Sequence, residues 1–390
     1  LLLKNITTQP GTVVLGAAQN VGTPYVSIPA QPLRVLKDFR IWGKESGGSS
    51  YPKITFSPDD TDLYIGGSFY VEDGAEYDAS KNTTHFIRTI ATRPVEDIYV
   101  GYIESQLELG NLVVDRSKGY EVKMTSRSAR ASESVVMDVK GDASVLSGTL
   151  NQNLYTIRTW GSVLNNDRMG TYVAGVTPSG AQIQLVENED LTITAGPDAV
   201  FGNVQVNITP PDVIVFTSDV YIERLEFVKG LLYLKGYNLT VDELWSINPG
   251  LFENSANNSR LKIEDTGYSG QSMIFTDGKA SDGGLTLRVA SNSLADENEN
   301  NRLNNSGPTT YPIGFRSGST LYFRPAQMMV HDVTSPGYVT IRPVMGALET
   351  TNSSGGAVLQ HYWRVTHSNF SSLPKASFRF YYRNRIGTNV

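Results

Sequence analysis

The sequence predicts an all-β fold. It reads as a right-handed parallel β-helix, or solenoid, over residues 1–300, in two segments (1–160 and 161–300), followed by a β-sandwich-like module over 301–390. Three observations predict it. No window carries a sustained helical period with caps. Short apolar runs recur at close spacing, each cut by Gly, Asn, Asp or Ser, as strands of an all-β protein are. Several of those runs resemble one another, which is the mark of a stacked array.

The runs appear in chain order as "TVVLG" (12–16), "DLYIGGSFYV" (62–71), "YEVKM" (120–124), "SVVMDVKG" (134–141), "AQIQLVE" (181–187), "DLTITAG" (190–196), "NVQVNIT" (203–209) and "DVIVFT" (212–217). "DELWSINPGLFENSANN" (242–258) is read as holding one helical turn. "SVLSGTLNQNLYTIRTW" (144–160) and "EFVKGLLYLKGYNLTVDELW" (226–245) share a layout. An apolar run leads to Gly148 or Gly230, then Leu150 or Leu232, a polar turn and a second strand. Looser copies lie at 62–80 and 102–124. Irregular spacing suits a coil whose turns each supply two or three strands and whose corners vary. A lone turn of this kind cannot bury its apolar side, whereas stacked turns pair their backbones and line up an internal column. The inward positions are expected to be Leu63, Ile65, Leu107, Leu109, Leu112, Val122, Leu150, Leu154, Leu225, Phe227, Leu232, Leu234, Leu239 and Val241. At ~25 residues per turn and ~4.8 Å between turns, residues 1–300 would form a rod on the order of 50–60 Å long. An antiparallel sandwich fits alternating strands equally well.

Composition agrees. The 390 residues include 36 Gly and 20 Tyr, and charged residues make up only 18%. No cysteine is present, which excludes disulfides, thiol chemistry and zinc sites built on Cys. The formal net charge is −6, unevenly spread. Residues 307–390 hold eight Lys and Arg against Asp332 and Glu349, a balance of +6 that leaves −12 for the rest. The break near 306, next to the polar stretch "NSLADENENNRLNNSG" (292–307), marks a domain boundary. The leading "LLL" is too short to span a membrane. The chain reads as a piece of a longer protein.

In the tail, "LYFRP" (321–325) and "FRFYY" (378–382) alternate with a period of two. Phe378, Phe380 and Tyr382 share one face and are read as sandwich core. Arg379, Tyr381 and Arg383 share the other and are the candidates for a glycan-binding surface, since guanidinium stems stack on rings. Pro312 and Pro325 mark strand ends. "SPDDTD" supplies Asp59, Asp60 and Asp62, the candidate Ca²⁺ ligands, because Ca²⁺ takes dense oxygen donors; "DENEN" supplies Asp296, Glu297 and Glu299. The histidines are His85, His331, His361 and His367. His361 and His367 lie ~20 Å apart along one strand and cannot share a metal without a bend. No motif for a nucleophilic triad, phosphate loop or dinucleotide site appears, and the acidic balance of residues 1–306 argues against nucleic acid.

These residues carry a family likeness. "GTLNQNLYTIRTWG" (148–161) and "GLLYLKGYNLTVDE" (230–243) resemble turns of the large β-helical cell-surface proteins of Bacteroidota exported by the type IX secretion system. The tail strengthens the likeness through Tyr311-Pro312-Ile313-Gly314, Phe323-Arg324-Pro325, Tyr362-Trp363 and Val365, and the closing strand with Phe378, Phe380 and Tyr382. That family includes gliding-motility adhesins. The resemblance implies a secreted or cell-surface location and a non-enzymatic adhesive or structural stalk. Its implied partners are other segments of a longer parent chain, surface glycans, or the secretion and motility machinery. It implies no catalytic set and no cofactor. The alternative is a β-helical polysaccharide lyase or hydrolase, which would need clustered carboxylates on one flank, or a glycan-binding tail.

Overall fold

The computed structural model describes residues 13–15, 32–41, 53–55, 62–72, 76–90, 92–100, 107–126, 135–172, 182–186, 191–246, 272–289, 309–331, 333–346 and 360–381. Every regular element among them is a β-strand. The chain divides into two compact units, residues 1–207 and 208–390.

In the first unit the described pairings are all parallel. One column of strands runs through the in-register positions Leu33, Leu63, Thr84, Leu112, Ala143, Val163 and Ile193. The same position therefore recurs every 20–31 residues. A second column runs through Phe39, Phe69, Ile98 and Met124; a parallel line continues from Val122 to Leu150, Met169 and Phe201. A third runs through Tyr77, Leu107, Met137, Ile157, Ile183 and Val204. The apolar members of all three columns are buried. Alternation is the cause. In "LYI" or "LVV" the first and third residues face the same way, so an apolar-x-apolar triplet per strand is enough to fill one layer. Each fully buried Leu, Ile or Phe stabilises by about 1.5–3 kcal/mol, and mutual stacking is what makes that burial available.

Two corners show why particular residues sit there. At one, Gly161 donates its N–H to the Gly141 carbonyl (2.9 Å) and Gly141 donates to Gly110 (2.7 Å). A Cβ on Gly161 would collide with the Gly141 backbone, so successive layers meet main chain on main chain. At the other, Gly148 (φ +87°) turns the chain from the strand Ala143–Ser147 into Thr149–Asn151. Gly230 (φ +140°) makes the same step between Val220–Lys229 and Leu231–Tyr233 in the second unit. The two stretches read as alike thus share a positive-φ Gly between two strands.

The second unit begins with parallel pairing. Val220, Leu239 and Leu285 are in register, as are Leu232, Ile274 and Ile313. Pairing then turns antiparallel. Gly337–Met345 pairs with Leu285–Val289 on one side and with His361–Ser368 on the other. Ile313–Ser317 forms a hairpin with Thr320–Phe323. A separate antiparallel sheet joins Thr309–Tyr311, Ala326–His331 and Lys375–Phe380. The hairpin lays Leu321 and Phe323 over Leu231, Tyr233, Met273 and Phe275, so these strands are buried on both faces. Pro312 and Pro325 fall between strands.

Thirteen of the fourteen expected inward residues are buried. Leu154 is the exception, 54% exposed. Asn153 next to it adopts φ +56°, and the Tyr155 N–H closes a turn on the Gln152 carbonyl, which throws Leu154 outward. The first five residues of the stretch read as holding a helical turn, 242–246, belong instead to the strand Leu239–Ser246, paired parallel to Val220–Lys229; in-register packing of Leu239, Val241 and Leu244 overrides the helical preference of "DELW" there. The rest of that stretch, and the acidic loop with Asp296, Glu297 and Glu299, lie outside the described residues.

Candidate binding surface

Asp62 has a specific place in the first unit. It stands just before the strand Leu63–Ile65, at a corner where each layer hands a side-chain oxygen to the next. Asp62 Oδ1 accepts the Thr83 N–H (3.2 Å). Asn111 Oδ1 accepts the Asp142 N–H (2.8 Å), Asp142 Oδ1 the Ser162 N–H (2.7 Å), and Ser162 Oγ the Thr192 N–H (3.1 Å). The second unit repeats the arrangement: Asp219 Oδ1 accepts the Asn238 N–H (2.8 Å) and Asn238 Oδ1 accepts the Gly284 N–H (3.3 Å). Every acceptor directly precedes a triplet that opens on an apolar strand residue. The sequence signal was a short polar residue before such a triplet, as in "TDLYI", "GNLVV", "GDASV", "GSVLN" and "SDVYI". Asp62 also lies 3.5 Å from His85 Nε2, and the His85 ring stacks on Tyr64 at 4.2 Å. Its oxygens therefore face protein donors. Asp59 and Asp60 lie outside the described residues. Among the described residues no three His, Asp or Glu side chains gather as a metal site.

The tail candidates separate. Tyr381 donates its hydroxyl to Gln327 Oε1 (2.6 Å), Arg379 is exposed opposite Gln327, and Arg383 and Tyr382 lie outside the described residues. Two of the three rings read as core, Phe378 and Phe380, are not core. Phe378 and Phe380 are 38% and 37% exposed. They share a face with buried Met328 and Ala326, their cross-strand partners. Among the described residues Lys375–Phe380 is the outermost strand of its sheet, so its rings overhang the margin of the covered face. There they stack with Trp363: Trp363 to Phe380 at 5.0 Å and 26°, Phe380 to Phe378 at 5.9 Å and 3°. Trp363 Nε1 donates to the Arg324 carbonyl (2.9 Å). Each ring partly covers its neighbour's face, so the stack favours packing by apolar side chains over stacking by a sugar ring.

Three clusters among the described residues bring carboxylates against basic side chains. In the first, Arg158 grips Asp138 with two hydrogen bonds (2.7 and 2.9 Å), while Lys140 reaches Asp138 (3.1 Å) and Glu108 (3.4 Å) and lies 4.1 Å over the Trp160 ring. In the second, Glu96 is buried under Ser68 Oγ (2.8 Å) and the Arg93 side chain (2.7 Å). Burial alone would raise its carboxyl; the hydrogen bonds from Arg93 and Ser68 outweigh it and hold the group below the usual range. Beside it Arg116, 1% exposed, donates to the carbonyls of Gly66 (2.8 Å), Gly67 (3.1 Å) and Ile65 (3.4 Å). Burial pulls that guanidinium down to about 10. In the third, Tyr233 donates to Asp277 (2.6 Å), and Arg316 donates to both Tyr233 Oη (2.6 Å) and Asp277 (3.2 Å). Burial and the bond to Asp277 push the Tyr233 hydroxyl up to about 12, and the bonds from Tyr233 and Arg316 hold Asp277 low. A general base needs a lone pair poised near working pH. These carboxylates are committed to fixed donors, and what the clusters do is tie neighbouring layers together.

No protein-family model, curated protein or solved structure matches the chain.

Proposed function

We propose that the chain is a right-handed parallel β-helix, closed by a β-sandwich-like module over 301–390, that serves as a load-bearing, non-catalytic segment of a secreted bacterial cell-surface adhesin or stalk. One observation carries the reading: the in-register column from Leu33 to Ile193, with its corner side chains bonded layer to layer. Such a stack resists local opening, because each layer is held by backbone bonds on both sides. The likeness of the tail to type IX-exported surface proteins supports the location and the adhesive role.

Pulling the full chain by its ends in a force-clamp tests the reading. A coil peels one turn at a time, so length should be released in steps of 20–31 residues, about 70–110 Å each at ~3.5 Å per residue. One all-or-none release of a whole unit would overturn it. The alternative, a β-helical polysaccharide lyase or hydrolase, draws on Glu108 and Asp138, neighbours on one outer face with Lys140 and Arg158. New unsaturated or reducing ends after incubation with acidic polysaccharides would favour it.

A further inference from the structure

The outer face of the antiparallel end of the second unit carries charge that no ion pair among the described residues uses. Leu285–Val289, Gly337–Met345 and His361–Ser368 lie side by side there. Leu285, Leu287, Val339 and Ile341 are buried on the inner side. The alternate residues form rows on the other: Arg288 beside Tyr338 beside Ser368, Thr286 beside Thr340 beside Thr366, and Arg342 beside Arg364. Arg364, Thr366 and Ser368 are exposed; Arg288, Thr340 and Arg342 are half-buried.

Arg342 and Arg364 are directly opposite across the strand pair. Like charges in that position destabilise a sheet, so folding gains nothing from the pairing. Arg342 donates to the Asp282 backbone carbonyl and Arg364 to the Ala280 carbonyl (3.3 Å). Arg342 Nε is buried without a hydrogen-bond partner. Among the described residues none of Arg288, Arg342 and Arg364 forms an ion pair with a carboxylate. The nearby carboxylates are committed elsewhere. Asp242 accepts the hydroxyls of Tyr221 (2.8 Å) and Tyr338 (3.1 Å), and Asp282 accepts the Lys279 N–H (2.9 Å).

The geometry points to this face as a binding surface for an anionic polysaccharide. Its carboxylate or sulfate groups would sit on the Arg342–Arg364 pair and on Arg288, and its hydroxyls on Thr340 and Thr366. The two cationic rows are four residues apart along a strand, about 14 Å. A small anion reaches one row; a chain of repeating anionic groups reaches both. The row between them is hydroxyl, which matches the hydroxyls of a sugar chain. The surface does not depend on the load-bearing reading.

The test uses the full chain against immobilised dextran sulfate and polygalacturonate, with neutral dextran and poly(dT) alongside, over a range of NaCl. Both anionic polysaccharides should bind, more weakly as salt rises, and neutral dextran should not. The double variant Arg342→Gln/Arg364→Gln should bind about tenfold more weakly, a loss of 1.4 kcal/mol, with Lys118→Gln, an exposed cation of the first unit, unchanged. If circular dichroism shows the double variant misfolded, Arg364→Gln alone is read, with an expected weakening of about threefold for one screened surface charge. Equal binding of dextran sulfate by wild type and Arg364→Gln, equal binding of neutral dextran, or tighter binding of poly(dT) than of either polysaccharide would overturn the proposal.

Discussion

Acid should loosen the C-terminal part of the second unit through one imidazole. His361 is 4% exposed, and its Nε2 accepts a hydrogen bond from Arg324 Nε (3.1 Å). Trp363 packs edge-on at 5.1 Å and Phe315 at 5.8 Å. Burial, aided by the Arg324 charge, pulls the imidazole down to about 4 from 6.5. At pH 7.5 the ring is neutral whether the chain is folded or not. Between pH 6.5 and 4 the unfolded chain takes up a proton that the folded chain refuses, so stability falls as pH falls. The whole gap is worth roughly 3.4 kcal/mol at 1.36 kcal/mol per pH unit, and about 2 kcal/mol of it is gone at pH 5.0. Protonation also sets N–H against N–H and removes the Arg324 bond, which reaches Trp363 through the Arg324 carbonyl. Urea unfolding at pH 7.5 and 5.0, followed by tryptophan emission, reads the effect; Trp363→Phe identifies the transition. His361→Gln keeps an acceptor for Arg324 and cannot titrate. Comparing it with wild type cancels His85, whose imidazole burial also lowers, and the carboxylates. Equal loss of stability in wild type and His361→Gln between the two pH values would refute the reasoning.

Three further outcomes are expected. Arg116→Met should cost about 3 kcal/mol or more in the first unit's urea transition, because three buried carbonyls lose a charged donor; Arg116→Lys should not restore it, since an ammonium cannot span the same fork. Asp142→Ala should cost about 1 kcal/mol and speed exchange of the Ser162 amide, while Asp142→Asn keeps the acceptor and should cost less. Leu150→Ala should cost about 2–5 kcal/mol, whereas Leu154→Ser should stay within about 0.5 kcal/mol, both read from denaturation midpoints.

Much of the layered core was legible before any coordinates, because alternation reports which residues share a face. "DLYI" places Leu63 and Ile65 together, and both are buried. Alternation does not report whether that face is covered. Phe378 and Phe380 share a face as read, yet they lie on the outermost strand and overhang. Leu154 failed for a different reason, a left-handed Asn153 that ends the alternation before Leu154 is reached. The corner residues Asn111, Asp142 and Ser162 were legible in principle, since each precedes a triplet that opens on an apolar residue, but in isolation each looks like ordinary turn chemistry. The Arg116 cluster was not legible at all. It joins Arg116 to Gly66, and only the stacking register brings residues fifty positions apart into contact. The cationic rows are similar: Arg288, Arg342 and Arg364 become neighbours only once strand order is known.

One row of corner bonds between layers has a direction. In the row from Asp62 and Thr83 through Ser162 and Thr192, the oxygen belongs to the earlier residue and the N–H to the later one, whereas Gly148 and Gly230 donate to oxygens of the later Asp167 and Ser272. A polypeptide leaves the ribosome or an export channel N-terminus first, so in that row each acceptor is already in position when its donor emerges. Along this row, the earlier layer thus always supplies the oxygen and the later layer the N–H.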